Sequence, residues 1–303
     1  MAHKNKVSVV ITAYNIAQYI EECVGSVYSQ TTKCDIIVVE DKSTDNTLEV
    51  LKNIPEKDGF PLKIIENKEN LGAGHSRNIG ISNSDTEYVL LLDGDDYYSD
   101  EHFVEDLLRK AEETDADIVS GGITVKNEDG SWNATSYGNC ICTSAIDKVA
   151  KFWGERIVFM NNKLIRKKIH DIVPYCKRRY IEDTPVIIPQ LWHANKVAYC
   201  DNTGYVYRMR GSSLTHTSNP IKDVIYKGLC WIDLLEFFNK KDKELFKAIN
   251  LNSYIANILA ALNSIEITEE MLKPYEKEWM EFSRKLFNVM KINNIDIIER
   301  EKY

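Results

Sequence analysis

Residues 88 to 96 read Tyr-Val-Leu-Leu-Leu-Asp-Gly-Asp-Asp, an unbroken apolar run that delivers three carboxylates, Asp93, Asp95 and Asp96, within four positions. Like charges this close repel, and each raises the pKa of the others unless a cation or solvent lies between them. The pattern points to a divalent-metal site. The alternative is an acidic turn that caps the helix beginning near Ser99 or Asp100. Calcium bound in the EF-hand manner is disfavoured, because Tyr97 and Tyr98 stand where that loop needs further oxygen ligands and a glycine.

Two later stretches also carry reactive groups. In Glu182-Asp183-Thr184-Pro185, Pro185 suits the first position of a helix running through Ile187, Ile188 and Leu191, so Thr184 is the expected N-cap and Asp183 falls just outside it. A loop carboxylate aimed into a cleft is a good proton acceptor. One that only caps a helix is held at a depressed pKa and makes a weaker base. Residues 204 to 216 bring Arg208, Arg210, Ser212 and Ser213 around Gly211, and such a loop can clamp phosphate oxygens. His216 offers either a nitrogen to a metal or an ordinary loop residue.

The elements that must hold these groups follow from apolar periodicity. Val7 to Ile11, Asp35 to Val39, Leu62 to Ile65, Tyr88 to Leu92 and Ile118-Val119 read as strands. Helical patterns separate them: Ala17 to Tyr28, a stretch through Leu48 and Leu51 with Ser43 and Thr44 suited to its N-cap, one carrying Arg77 and Asn78, and one through Phe103 to Ala111. Alternation at this spacing predicts a mostly parallel sheet covered on both sides, with ligands outside the carboxyl ends of the strands. Tyr14, Asp41 and the acidic cluster all fall at those ends. Ile123 to Val125 and the Asn127 to Gly130 turn suggest a hairpin, after which Trp132 either covers the sheet or stacks on a sugar. From about Pro220 three apolar stripes predict helices that pack on the preceding domain, dimerise the chain or lie on a membrane surface.

Composition narrows the function further. With 303 residues and 44% hydrophobic content there is room for one large domain or two small ones. A net charge of −8 argues against a nucleic-acid surface. No span-length apolar run and no signal-peptide core are seen, which leads to an expectation of a cytoplasmic protein, free or at the inner membrane face. The seven cysteines, without a Cys-x-x-Cys pair, read as reduced packing residues. Gly72-x-Gly74 lacks the third glycine of a dinucleotide site, since Arg77 stands there, and no phosphate loop ending in Gly-Lys-Ser/Thr occurs.

In order and spacing, Val7 to Asn15, Ile37 to Thr47, Asn70 to Gly80 and Tyr88 to Asp96 resemble the successive motifs of family-2 glycosyltransferases, and the resemblance extends to about residue 216. It implies an α/β chain of the GT-A nucleotide-diphospho-sugar transferase fold, a mostly parallel sheet flanked by helices, with a C-terminal helical extension. Residues 1–120 would form the nucleotide-sugar half, 121–217 the acceptor side of the same domain and 218–303 the extension. Glu40 and Lys42 depart from the family's second motif, whereas Asp41 is retained.

The implied reaction is inverting, metal-dependent transfer from a UDP-sugar to a hydroxyl of a glycan or lipid-linked glycan, with Mn²⁺ or Mg²⁺ as cofactor. By resemblance Asp41 would meet the uracil imide, Tyr14 the base or ribose, Thr12 and Asn70 would line the nucleotide site, and Arg77 would reach the nucleotide. Asp93 would hold the ribose and help the metal, Asp95 would ligate it directly and His216 would be a further ligand. Asp183, with Glu182 beside it, would supply the base, and Arg208, Arg210, Ser212 and Ser213 would cover the diphosphate. A haloacid-dehalogenase-like phosphatase, a sugar nucleotidyltransferase and an inactive nucleotide-sugar-binding module remain as alternatives.

Overall fold

The computed structural model describes residues 5–154, 160–175, 183–211, 219–242, 260, 262 and 267–292. The chain divides into two compact units, Met1–Ser213 and Leu214–Tyr303.

In the first unit, the leading strands are β1 (Val7–Ala13), β2 (Cys34–Glu40), β3 (Leu62–Glu66) and β4 (Tyr88–Asp93), joined through α1 (Ile20–Tyr28), α2 (Thr47–Asn53) and α3 (Ala73–Ser82). All are parallel, in the order β3-β2-β1-β4, so the first strand of the chain lies inside the sheet. Every residue of β4 before Asp93 is buried, which is why the run contains no polar interruption. Helix α3 lies against β1 at Gly80, where a Cβ would come within 2.2 Å of Val10 Cγ1.

The rest of this unit comprises β5 (Tyr97–Tyr98), α4 (Phe103–Thr114), β6 (Ile118–Ser120), β7 (Ile123–Lys126), β8 (Trp132–Thr135), β9 (Ile141–Cys142), α5 (Ala145–Gly154), β10 (Lys163–Arg166), α6 (Lys167–Ile172), α7 (Thr184–His193), β11 (Val197–Tyr199) and β12 (Tyr205–Arg208). The large sheet continues as β4-β10-β6-β11-β9, and β10 runs antiparallel to both of its neighbours. A smaller sheet has the order β5-β12-β7-β8, in which the expected hairpin is β7–β8. Lys163 is buried inside β10, because that strand is internal to the sheet, and Arg166 spreads its guanidinium over Glu87, Asp115 and Asp117.

In the second unit, α8 (Pro220–Lys241) starts with Pro220 in its first turn behind the N-cap Asn219, whose side chain accepts from Lys222 N. Thr268 caps α9 (Glu269–Leu272), its side chain accepting from Met271 N, and α10 (Glu276–Ile292) follows. Gly228 lets α8 meet α10 closely: a Cβ there would lie 2.3 Å from Phe282 Cε2. Of the three apolar stripes in the sequence, Leu234, Leu235, Phe238, Phe282 and Leu286 are buried, Trp231, Leu262 and Trp279 are half-buried and Met271 is exposed, while Leu251, Tyr254, Ile255, Ile258 and Leu259 lie outside the described residues.

Six cysteines are free, and burial raises the Cys34 thiol to about 12, which makes it unreactive. Cys176 lies outside the described residues. No helix among them is long and apolar enough to cross a membrane.

Candidate active site

Strands β2, β1 and β4 end side by side. Thr12 pairs in register with Asp93, and Asp41 N donates to Ala13 O at 2.8 Å. The loops that leave these strands are fastened to one another. Asn15 and Lys42 both adopt left-handed backbone, with φ of 52° and 62°. Thr44 N donates to Asn15 Oδ1 at 2.7 Å, Asn15 N to Ser43 Oγ at 3.1 Å and Ile16 N to Thr47 Oγ1 at 2.9 Å. Ser43 and Thr44 therefore do not act as N-caps for α2, because this latch uses their polar atoms; Asn46 takes the cap position. Tyr14 stands at the rim with its side chain 45% exposed.

Asp41 is buried and ties β2 to the loop that enters α3. Its Oδ1 accepts from Asn67 Nδ2 and Leu71 N, and its Oδ2 from Gly72 N, each at 2.8 Å. Gly72 has φ of 86°, a conformation that suits glycine. Asn70, half-buried, belongs to the same loop.

The three carboxylates of the acidic cluster do different work. Asp93 Oδ1 accepts from Arg77 Nη2 at 2.9 Å and from Thr12 Oγ1 at 3.2 Å, and its Oδ2 accepts from Asn161 Nδ2 at 2.7 Å. Asp95 is ion-paired with Arg210. Burial, then the neighbouring Asp93, push the Asp95 carboxyl upward against the pull of Arg210. Asp96 turns away into the protein, where Tyr205 Oη donates to its Oδ2 and Arg208 N donates to Oδ1 at 2.9 Å. Burial raises this carboxyl strongly, with the charges of Asp95 and Asp93 adding to it. Asp96 thus joins the end of β4 to β12.

Arg77 connects the two chemical regions of the site. Its guanidinium, with 4% of the side chain exposed, donates through Nη2 to Asp93 and through Nη1 to Asp183 Oδ1 at 3.0 Å. Tyr175 lies beneath it, with its ring centre 5.4 Å away, and is fixed to α3 by paired hydrogen bonds with the Asn78 side chain. Asp183 is itself the N-cap residue of α7, one position before the expected Thr184, yet its side chain makes no capping bond. A third of that side chain is exposed, as a proton acceptor in a cleft requires. Lys163 lies near enough to feel the charge of Asp183, and burial brings its ammonium down to about 7. Glu182, Ser212, Ser213 and His216 lie outside the described residues.

Asn161 and Tyr205 are not among the site residues that the sequence predicts. Only the Asn161-Asn162 pair ahead of an apolar strand and the alternation Tyr205-Val206-Tyr207 could have marked them. A divalent ion fits what is present. The charge of Asp93 adds to burial in raising the Asp95 carboxyl, and the amide oxygen of buried Asn161 has no donor among the described residues. No cluster of three or more metal-binding side chains occurs among the described residues.

Residues 8–176 match the family model described as "Glycosyl transferase family 2". The chain is 29% identical over 247 residues to Glycosyltransferase GlyG of Streptococcus pneumoniae serotype 4, a match that covers 78% of this chain and 79% of that one. In fold it is similar to residues 1 to 349 of S. aureus TarS in complex with UDP-GlcNAc, with a TM-score of 0.68, 19% identity and coverage of 93% of this chain and 81% of that one. It is also similar to the mannosyltransferase PcManGT of Pyrobaculum calidifontis in complex with GDP-Man and Mn²⁺, with a TM-score of 0.57, 14% identity and coverage of 97% and 89%.

Proposed function

The chain belongs to glycosyl transferase family 2, and from that premise we propose that it transfers a sugar, with inversion, from a UDP-sugar to a hydroxyl of a glycan or lipid-linked glycan, as in the assembly of cell-surface polysaccharide. The observation that carries this reading is the Arg77 bridge. One buried guanidinium holds a donor-side carboxylate, Asp93, and the half-exposed carboxylate Asp183 in a single site. Positioning of this kind is what displacement at an anomeric carbon needs.

In the proposed step the acceptor oxygen bonds to the anomeric carbon on the face opposite the nucleotide. The bond to the diphosphate oxygen breaks and its electron pair leaves with UDP. Asp183 takes the hydroxyl proton, and because that proton becomes acidic only as the new bond forms, a carboxylate of ordinary basicity suffices. Asp93, steadied by Thr12, Arg77 and Asn161, holds the ribose, and Tyr14 and Asn70 wall the nucleoside. Asp41 offers its remaining Oδ2 lone pair to the base N–H. Arg208 and Arg210, with Ser212 and Ser213, cover the diphosphate. Mn²⁺ or Mg²⁺ held by Asp95 and Asp93, with His216 as a further candidate ligand, would supply Lewis-acid stabilisation to the departing diphosphate.

The test is release of nucleoside diphosphate from a panel of UDP-, GDP- and ADP-sugars, with metal and with chelator. UDP release that is lost on chelation and in Asp95→Ala is the expected result. Release only of inorganic phosphate from phosphomonoesters would favour a phosphatase, and pyrophosphate formation a nucleotidyltransferase. Binding without any turnover would favour an inactive module.

A further inference from the structure

Helix α10 of the second unit has two unlike faces. On the inner one Phe282, Leu286 and Val289 are buried, and Phe282 lies against Gly228 of α8. On the outer one Lys277, Met280, Arg284, Phe287 and Lys291 follow at steps of three or four residues, the spacing that keeps side chains on one side of a helix. Lys273 stands one turn ahead of them. All six are exposed, Met280 at 66% and Phe287 at 54%.

An ordinary solvated helix face pairs its charges three and four residues apart. Lys285, on a neighbouring line of the same helix, does so with Glu281 and also meets Asp233 and Glu236. The four cations of the outer stripe make no ion pair among the described residues, and no carboxylate of α10 stands between them; Glu276 and Glu281 border the stripe. On a chain of net charge −8 this is a local reversal of sign. Cations alone would suit any polyanion. Here they alternate with a methionine and a phenylalanine whose apolar surface is left in water, which is unfavourable unless something covers it. A surface that is anionic at its face and apolar just beneath satisfies both kinds of side chain, and a nucleic-acid backbone satisfies only one.

We propose that this stripe docks the chain on an anionic lipid bilayer. Helix α10 lies along the surface, Met280 and Phe287 enter the headgroup boundary, and Lys273, Lys277, Arg284 and Lys291 meet lipid phosphates. The helix rests on the bilayer and does not cross it, since no described helix is long and apolar enough to do so. None of these residues belongs to the candidate active site, so the docking stands or falls apart from the donor and base assigned above. The test is co-sedimentation of the full-length protein with vesicles of equal parts phosphatidylcholine and phosphatidylglycerol, and with vesicles of phosphatidylcholine alone. The anionic vesicles should bind it and the neutral ones should not. A lysine or arginine near an anionic surface is worth about fivefold in binding, so K277E/R284E should weaken it by more than tenfold. M280S/F287S should weaken it several-fold, and K52E on α2 should change little. All four altered side chains of the stripe are exposed, so melting temperatures should match that of the unmodified chain. Absence of binding, equal binding to neutral vesicles, an equal loss in K52E, or unchanged binding in K277E/R284E would each overturn the docking. Unchanged binding in M280S/F287S would make the stripe a general polyanion site and overturn it too. A dimer in sedimentation velocity that M280S/F287S dissolves would assign the face to a second copy of the chain instead.

Discussion

The two halves of the first unit reach the same site by different means. In the β1–β4 half, the loops bearing Tyr14 and Asp41 are held mainly by backbone amides and short side chains of neighbouring loops, so they are set by the sheet register itself. In the other half, placement depends on side chains that reach across large sequence separations: Asp183 is met by Arg77 from 106 residues away, and Tyr205 meets Asp96 from 109. The first half is preorganised by its own register, whereas the second is fastened to it at a few charged points; on the proposed function the first would be the nucleotide platform. Single substitutions in the second half should therefore separate catalysis from donor binding, which substitutions in the first half should not do.

The largest expected effect is on rate. Asp183→Asn keeps the shape and should leave UDP affinity near normal while lowering transfer roughly a hundred- to ten-thousand-fold, the usual worth of a positioned base. Glu182→Gln should cost less. Calorimetry with UDP and single-turnover transfer assays separate the two readouts. Near-normal transfer by the Asp183 variant would move the base to Glu182, and loss of UDP binding would erase the contrast between the halves.

Next comes the fastening point. Arg77→Gln leaves Asp93 and Asp183 facing one another without their shared cation, and breaking a buried pair costs roughly 3–5 kcal/mol. Arg77→Lys retains the charge but cannot serve both carboxylates with a planar fork, so its stability should be intermediate and its transfer rate still low. Denaturant midpoints and UDP titrations are the measurements. Unchanged stability with weakened UDP binding would show that Arg77 acts on the nucleotide and not as the fastener.

A smaller effect concerns Lys163. Burial lowers its pKa to about 7, against the opposing influence of Asp183, so between that pH and the ordinary lysine value of 10.5 the unfolded chain binds a proton that the folded chain does not. Folding stability from this group therefore rises as pH increases through that window, by roughly 1 kcal/mol per pH unit. The melting temperature of Lys163→Met relative to the unmodified chain should fall progressively from pH 7 to pH 10. Parallel curves would show that Lys163 stays charged in the folded protein.

Most of the parallel half was legible because the buried strands β1, β2 and β4 write themselves as apolar runs, and the runs of β1 and β4 stop at Thr12 and Asp93, which meet at the site. The departure at Lys42 was legible as well: a position that favours glycine is left-handed, with φ of 62°. The antiparallel strand β10 was harder to read, since four residues that begin with lysine and end with arginine carry little periodic signal. Nor could spacing reveal that Asp93, Asp95 and Asp96 would face in three directions. That depends on Arg77, Arg210 and Tyr205, whose positions relative to β4 are settled only by long-range packing.

The inward turn of Asp96 bears on how this motif can change over evolutionary time. A descendant that no longer transferred sugar would be free to lose Asp95, which faces the site, but would stay under pressure to keep Asp96, whose buried carboxyl holds the Tyr205 hydroxyl and the Arg208 amide. The last aspartate of the motif would then outlive the activity. Its presence in a related sequence is evidence of an intact β4–β12 junction and says nothing of chemistry.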